Sequence, residues 1–164
     1  MAQPFTARIK GRSLLIAVAA GLGFAMTEMV IEAVSGKGFW APLRFIASIL
    51  TLGKDTDPSF SLVPVIVGVA GHMIESVVLG LVFIVLAGRI THSAIGLALT
   101  GMVYGAVLFT GSWFVVLRLV DSAMLLLNGP GFLVSHVMFG LLLGLGTWLA
   151  WERNGGAEQV AAPR

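Results

Sequence analysis

Between Ser61 and Ala87 the sequence is apolar or small at almost every position, and Glu75 is the one charged side chain. A bilayer-spanning helix needs about 20 mostly apolar residues, because its backbone must satisfy its own hydrogen bonds where water is absent. That run is long enough to cross. Three others match it: Ser13 to Val34, Ser93 to Val120 and Gly131 to Trp151. Four such segments in 164 residues leave no length for a sizeable soluble domain. The chain is 57% hydrophobic and 11% charged, with mean hydropathy +0.98, far from the composition of a water-soluble domain. The expected fold class is all-α, an integral membrane four-helix bundle. Residues 1–152 form a single transmembrane domain on this reading, and 153–164 a disordered cytoplasmic tail.

Arg8, Lys10 and Arg12 precede the first apolar run, as in a secretory signal, but the run continues past any plausible cleavage point to Val34. An uncleaved first helix is expected. The same basic residues, with Arg89 between the second and third helices and Arg153 after the fourth, place both termini in the cytoplasm by the positive-inside rule. The expected location is the cell membrane. Lys37, Arg44 and Lys54 in the first outer connection oppose that orientation. In this connection Trp40, Phe45, Ile46, Ile49 and Leu50 follow helical spacing, and Pro42 sits where a first helical turn tolerates it. A short amphipathic helix over about 41–52 is expected at the outer interface, with Trp40 and Arg44 at headgroup depth. "GKDTDPS" then ends it in a turn.

"GHMIESVVLG" from Gly71 and "SHVMFGLLLG" from Ser135 align without gaps, and Gly21, Phe24 and Ala25 align with Gly101, Tyr104 and Gly105. The pattern points to a duplicated helical hairpin, the second copy lacking the interfacial insertion. Gly68, His72, Ser76 and Gly80 recur every four residues, as do His136, Gly140 and Gly144. Such stripes let helix backbones approach closely in lipid, where the hydrophobic effect does not drive helices together. Both histidines lie on these stripes and are expected to face protein.

The polar residues within the spans are the candidate site. His72 and Glu75 are neighbours on one helical surface. A lone charge at mid-bilayer costs at least about 2.5 kcal/mol, so Glu75 is expected to be protonated, paired with His72, or bound to a cation. Glu28 is expected to face Arg118 or His136, and Glu32 to be a solvated helix-end residue. Tyr104 lies mid-helix, where its hydroxyl needs a partner; Glu75 and His72 are candidates. Ser76 and Arg118 support the site, and His92 is a solvated turn residue. Imidazole and carboxylate together suit a transition metal, giving His72, Glu75, His136 and Glu28 as its ligand set. Alternatively, His72 and His136 on separate helices are axial ligands of a haem. Their depths differ by about 6 Å at 1.5 Å per residue, which a haem spans only with helix shift.

No cysteine is present, which excludes disulfides, thiolate zinc sites and iron–sulfur clusters. A net charge of +2 without a basic cluster speaks against nucleic acid. No Walker loop, dinucleotide fingerprint, "HExxH" or "GxSxG" occurs, and no catalytic residue is assigned. The expected role is a non-catalytic accessory or assembly subunit, partnered by the lipid bilayer and by further copies of itself or a larger membrane complex. The competing readings are a proton or metal-ion transport protein and a haem-binding redox subunit.

Overall fold

A computed structural model describes residues 11–51, 57, 59–120 and 122–161. Arg8, Lys10, Lys54 and Asp121 lie outside the described residues, as do position 52 of the expected interfacial helix and the last three residues of the tail. Within them the protein is helical throughout, and four helices are long and apolar enough to cross a membrane. α1 spans Arg12–Val34, α2 Ala41–Thr51, α3 Leu62–Ala87, α4 Ala94–Gly111, α5 Leu117–Val120 and α6 Gly129–Ala161. A π turn, Ser112–Val116, joins α4 to α5, and a 3₁₀ turn, Ser122–Leu126, precedes α6.

Local chemistry sets the ends of these helices. α1 stops at Gly36, whose φ of 78° is left-handed, while the Lys37 N–H bonds back to the Glu32 carbonyl at 2.9 Å. That is the six-to-one bond of a glycine-terminated helix. Ser93 caps α4, its Oγ accepting the Gly96 N–H at 3.0 Å. Asn128 does the same for α6, its Oδ1 accepting the Gly131 N–H at 3.1 Å, with Pro130 in the first turn where no backbone donor is needed.

α1 packs against both α3 and α6, and α4 packs against α6, whereas α3 and α4 scarcely meet despite being consecutive. The helices therefore run α3, α1, α6, α4 around the bundle. A gap is left between the first and last. Phe24, Phe83, Leu97, Phe132, Phe139 and Leu143 form the shared core.

The small-residue stripes meet at matching places. A Cβ at Gly101 would overlap the Gly140 carbonyl, and one at Gly144 would overlap the Leu97 carbonyl. In the other hairpin Gly21 lies against Ser76, and Gly80 against Ala17. The α4–α6 seam is backbone on backbone. The α1–α3 seam is spaced out by the Ser76 and Ala17 side chains.

Three expectations are revised. α2 is buried on most sides, from Ala41 through Phe45 and again at Ala47 and Ser48, because α3 receives it at Gly68, where a Cβ would overlap the Leu43 carbonyl. Arg44 is 4% exposed instead of lying at the headgroups, and its Nη1 donates to the Ser59 carbonyl at 2.6 Å. The tail is helical through Ala161, as an extension of α6. Beside Arg44, the exposed Asp57 accepts the Ser59 N–H at 2.8 Å and the Ser59 Oγ–H at 2.9 Å, and these bonds hold its carboxyl below the usual range.

Candidate functional site

The gap between α3 and α4 contains a cleft of about 110 Å³. Its walls are mostly apolar, with Leu79 on α3 and Leu108 on α4. Phe24, Phe132 and Phe139 of α1 and α6 close it from behind, and Ile46 and Ile49 of α2 cover one end. Into this apolar surface His72, Glu75, Ser76, Ser112 and His136 bring polar groups. The π turn contributes Ser112 and Val116 to the wall. Such turns insert one residue into a helix and often mark functional sites.

His72 is 6% exposed and His136 7%, as expected of residues on the small-residue stripes. His72 Nε2 lies 2.8 Å from the Gly21 carbonyl and 3.4 Å from Ser76 Oγ. His136 Nδ1 lies 2.8 Å from the Phe132 carbonyl of its own helix. A carbonyl only accepts, so each of these nitrogens carries the hydrogen, and the tautomers follow. The second nitrogen of each neutral ring, Nδ1 of His72 and Nε2 of His136, is then a bare acceptor.

Phe24 stands between the two histidines, its ring centroid 5.0 Å from that of His72 and 4.8 Å from that of His136. They converge on a phenylalanine edge instead of on each other. A haem ligated from both sides would have to take the place of Phe24, and the cleft is smaller than the roughly 300–1,000 Å³ of ordinary cofactor pockets. Among the described residues no three His, Asp or Glu side chains come close enough to hold one metal ion. Thus His72, Glu75 and His136 share a cleft without forming a ready chelate, and Glu28 lies outside it.

Four expected pairings are replaced by others. Glu75 and His72 do not bond. Residues three apart on a helix still diverge by about 60° at 3.6 residues per turn, enough to turn His72 inward to Gly21 while Glu75 is exposed. Tyr104 donates to the Leu79 carbonyl at 2.9 Å instead of to His72 or Glu75. Arg118 is exposed, and the Glu28 carboxylate accepts from Ser135 Oγ at 2.6 Å in place of Arg118 or His136. Glu32, expected in solvent, is 0% exposed and accepts the Asn128 N–H. Its burial follows from the start of α6 folding over the end of α1, a contact that periodicity along α1 does not encode. His92 is exposed, as expected, and its ring packs 4.8 Å from that of Trp151.

Tyr104 ties α4 to α3 across the gap, with its ring 5.3 Å from that of Phe83. Tyr104→Phe removes the bond but keeps the ring. It is expected to cost about 1 kcal/mol, read as a lower unfolding midpoint in detergent micelles.

No protein-family model, curated protein or solved structure matches the chain. The site is read from its own geometry.

Proposed function

We propose that this chain is a non-catalytic accessory or assembly subunit of a membrane complex, whose α3–α4 cleft receives a side chain from a neighbouring transmembrane helix. The supporting observation is Glu75. It lies near the middle of a 26-residue span, exposed at the rim of an apolar cleft, with no hydrogen-bond partner among the described residues. A carboxyl at that depth calls for a partner, and this chain brings none to it. The chemistry of that partner follows from the atoms facing it. Glu75 and the bare nitrogens of His72 and His136 are acceptors, so the incoming group donates hydrogen bonds or carries positive charge. Its size follows from the cleft, which accommodates a side chain and not a whole cofactor.

A photo-crosslinking residue in place of Val78, which is 55% exposed on α3, tests this in native membranes. The expected result is one adduct of discrete mass, lost in Glu75→Leu, while the isolated Glu75→Leu protein is at least as stable as the original. An adduct of unchanged yield in Glu75→Leu would overturn the reading, as would no adduct in either. An adduct at twice the chain mass identifies the partner as a second copy.

Two further readings accompany this one. The matched contacts of Gly21 with Ser76 and Gly101 with Gly140, and of Ala17 with Gly80 and Leu97 with Gly144, support a duplicated hairpin. The ring contact of His92 with Trp151 brings the α3–α4 turn, with Arg89, to the same end as the outgoing α6. That supports an orientation with both termini at the basic, cytoplasmic face of the cell membrane.

A further inference from the structure

Where the end of α1 meets the start of α6, two carboxylates are buried and each is only half bonded. Glu28 is 1% exposed and Glu32 0%. Being four residues apart, they occupy one face of α1. Ser135 donates to Glu28 Oε2 at 2.6 Å, and the Asn128 N–H donates to Glu32 Oε1. The remaining oxygens, Glu28 Oε1 and Glu32 Oε2, are enclosed and have no hydrogen-bond partner among the described residues. Lys37 is close enough to act on Glu28 electrostatically. However, its amino group is exposed and donates to the Leu126 carbonyl at 2.6 Å, so it does not fill the vacancy beside either oxygen.

Buried polar atoms left unbonded are costly, and charged ones more so. Glu75 is exposed, with room for a partner chain. Glu28 and Glu32 are closed in by helices, so the group that completes them is small. The donor set is oxygen only: two carboxylates, the Ser135 hydroxyl beside them, and water. Two carboxylates also match a double positive charge. We propose that Glu28 and Glu32 bind a hard divalent cation of the calcium or magnesium type, with Glu28 Oε1 and Glu32 Oε2 as its protein ligands. Such ions take carboxylate oxygens and complete their shell with hydroxyls and water. Access is short. Glu32 is two residues from the end of α1, and the half-buried Asn128 bonds through its Nδ2 to the exposed Ser35 Oγ at 2.9 Å. Those two side chains form a polar edge from the site to the surface. The site is independent of the α3–α4 cleft and uses neither histidine.

The test takes the full chain in detergent, strips it with a chelator, and titrates it separately with calcium and with magnesium. The expected result is a saturable rise in the unfolding midpoint with at least one of the two, since an ion bound only to the folded state stabilises it. Equilibrium dialysis is expected to give one ion per chain. In the double variant Glu28→Gln with Glu32→Gln the rise disappears, while its midpoint in chelator is no lower than that of the original chain in chelator. Should the double variant not fold, Glu32→Asp serves instead, with the titration expected to shift at least tenfold to higher ion concentration. The proposal fails if neither ion moves the original chain's midpoint, or if the variant responds as strongly as the original.

Discussion

Gly140→Ala is expected to cost about 3 kcal/mol, the upper end of what overpacking does in a well-packed core, and to lower the unfolding midpoint by more than any other single methyl addition in the spans. The reason is that the new methyl meets backbone and not the end of a side chain. A Cβ at Gly140 overlaps the Gly101 carbonyl, while Cβ atoms at Gly101 and Gly105 overlap the Gly140 and His136 carbonyls. No rotamer change relieves such a clash, so the two helices must separate along the whole seam. Separation also shifts His136 and Phe139, which line the cleft. Gly111→Ala is the matched control. A Cβ there has nothing within 4 Å, and alanine favours helix over glycine by about 1 kcal/mol, so this variant is expected to be neutral or slightly stabilised. Equilibrium unfolding in mixed micelles separates the two. Similar midpoints for both variants would show that the seam is looser than the contacts imply.

The second large effect is expected at Ser135. This side chain is 0% exposed, and its hydroxyl donates to Glu28 at 2.6 Å while also reaching the Gly131 carbonyl at 3.1 Å. Ser135→Ala creates almost no cavity but leaves both Glu28 oxygens unbonded. Hydrogen bonds to charged groups contribute about 1.5–3 kcal/mol, and Ser135→Ala is expected to lose about 2 kcal/mol. Glu28→Leu removes the acid and its need together. Placing both changes in one chain therefore costs less than their sum, and a double-mutant cycle gives the coupling directly. Strict additivity would show that the serine acts by packing alone.

The four spans were readable in advance because bilayer thickness leaves few alternatives for runs as long as Ser61 to Ala87. The small-residue stripes were equally legible: at every fourth position, glycines in an apolar helix have one mechanical use, and Gly101, Gly105, Gly140 and Gly144 serve it. The polar residues were harder, since their partners lie on other helices. His72 and Glu75 look paired along one helix, yet which way each turns is decided by α1, whose Gly21 carbonyl captures the histidine. Glu32 sits near a helix end and resembles a solvated residue. Only the later stretch "LNGPG" covers it, and nothing on α1 announces that contact. The burial of Arg44 has the same origin, a carbonyl supplied from Ser59 fifteen residues away.

The π turn of residues 112–116 also puts the sequence out of step with its own packing. Leu97, Gly101 and Gly105 are buried at steps of four, and Leu108 and Ser112 continue that face into the cleft wall at ordinary helical steps. The next buried residue is Leu117, five further on, while Val116 is exposed. One residue has in effect been added without a change of face. Wheel diagrams drawn with a constant period through the third span would set Val116 inward and Leu117 outward, and an alignment scored on that period would misplace everything that follows by one position.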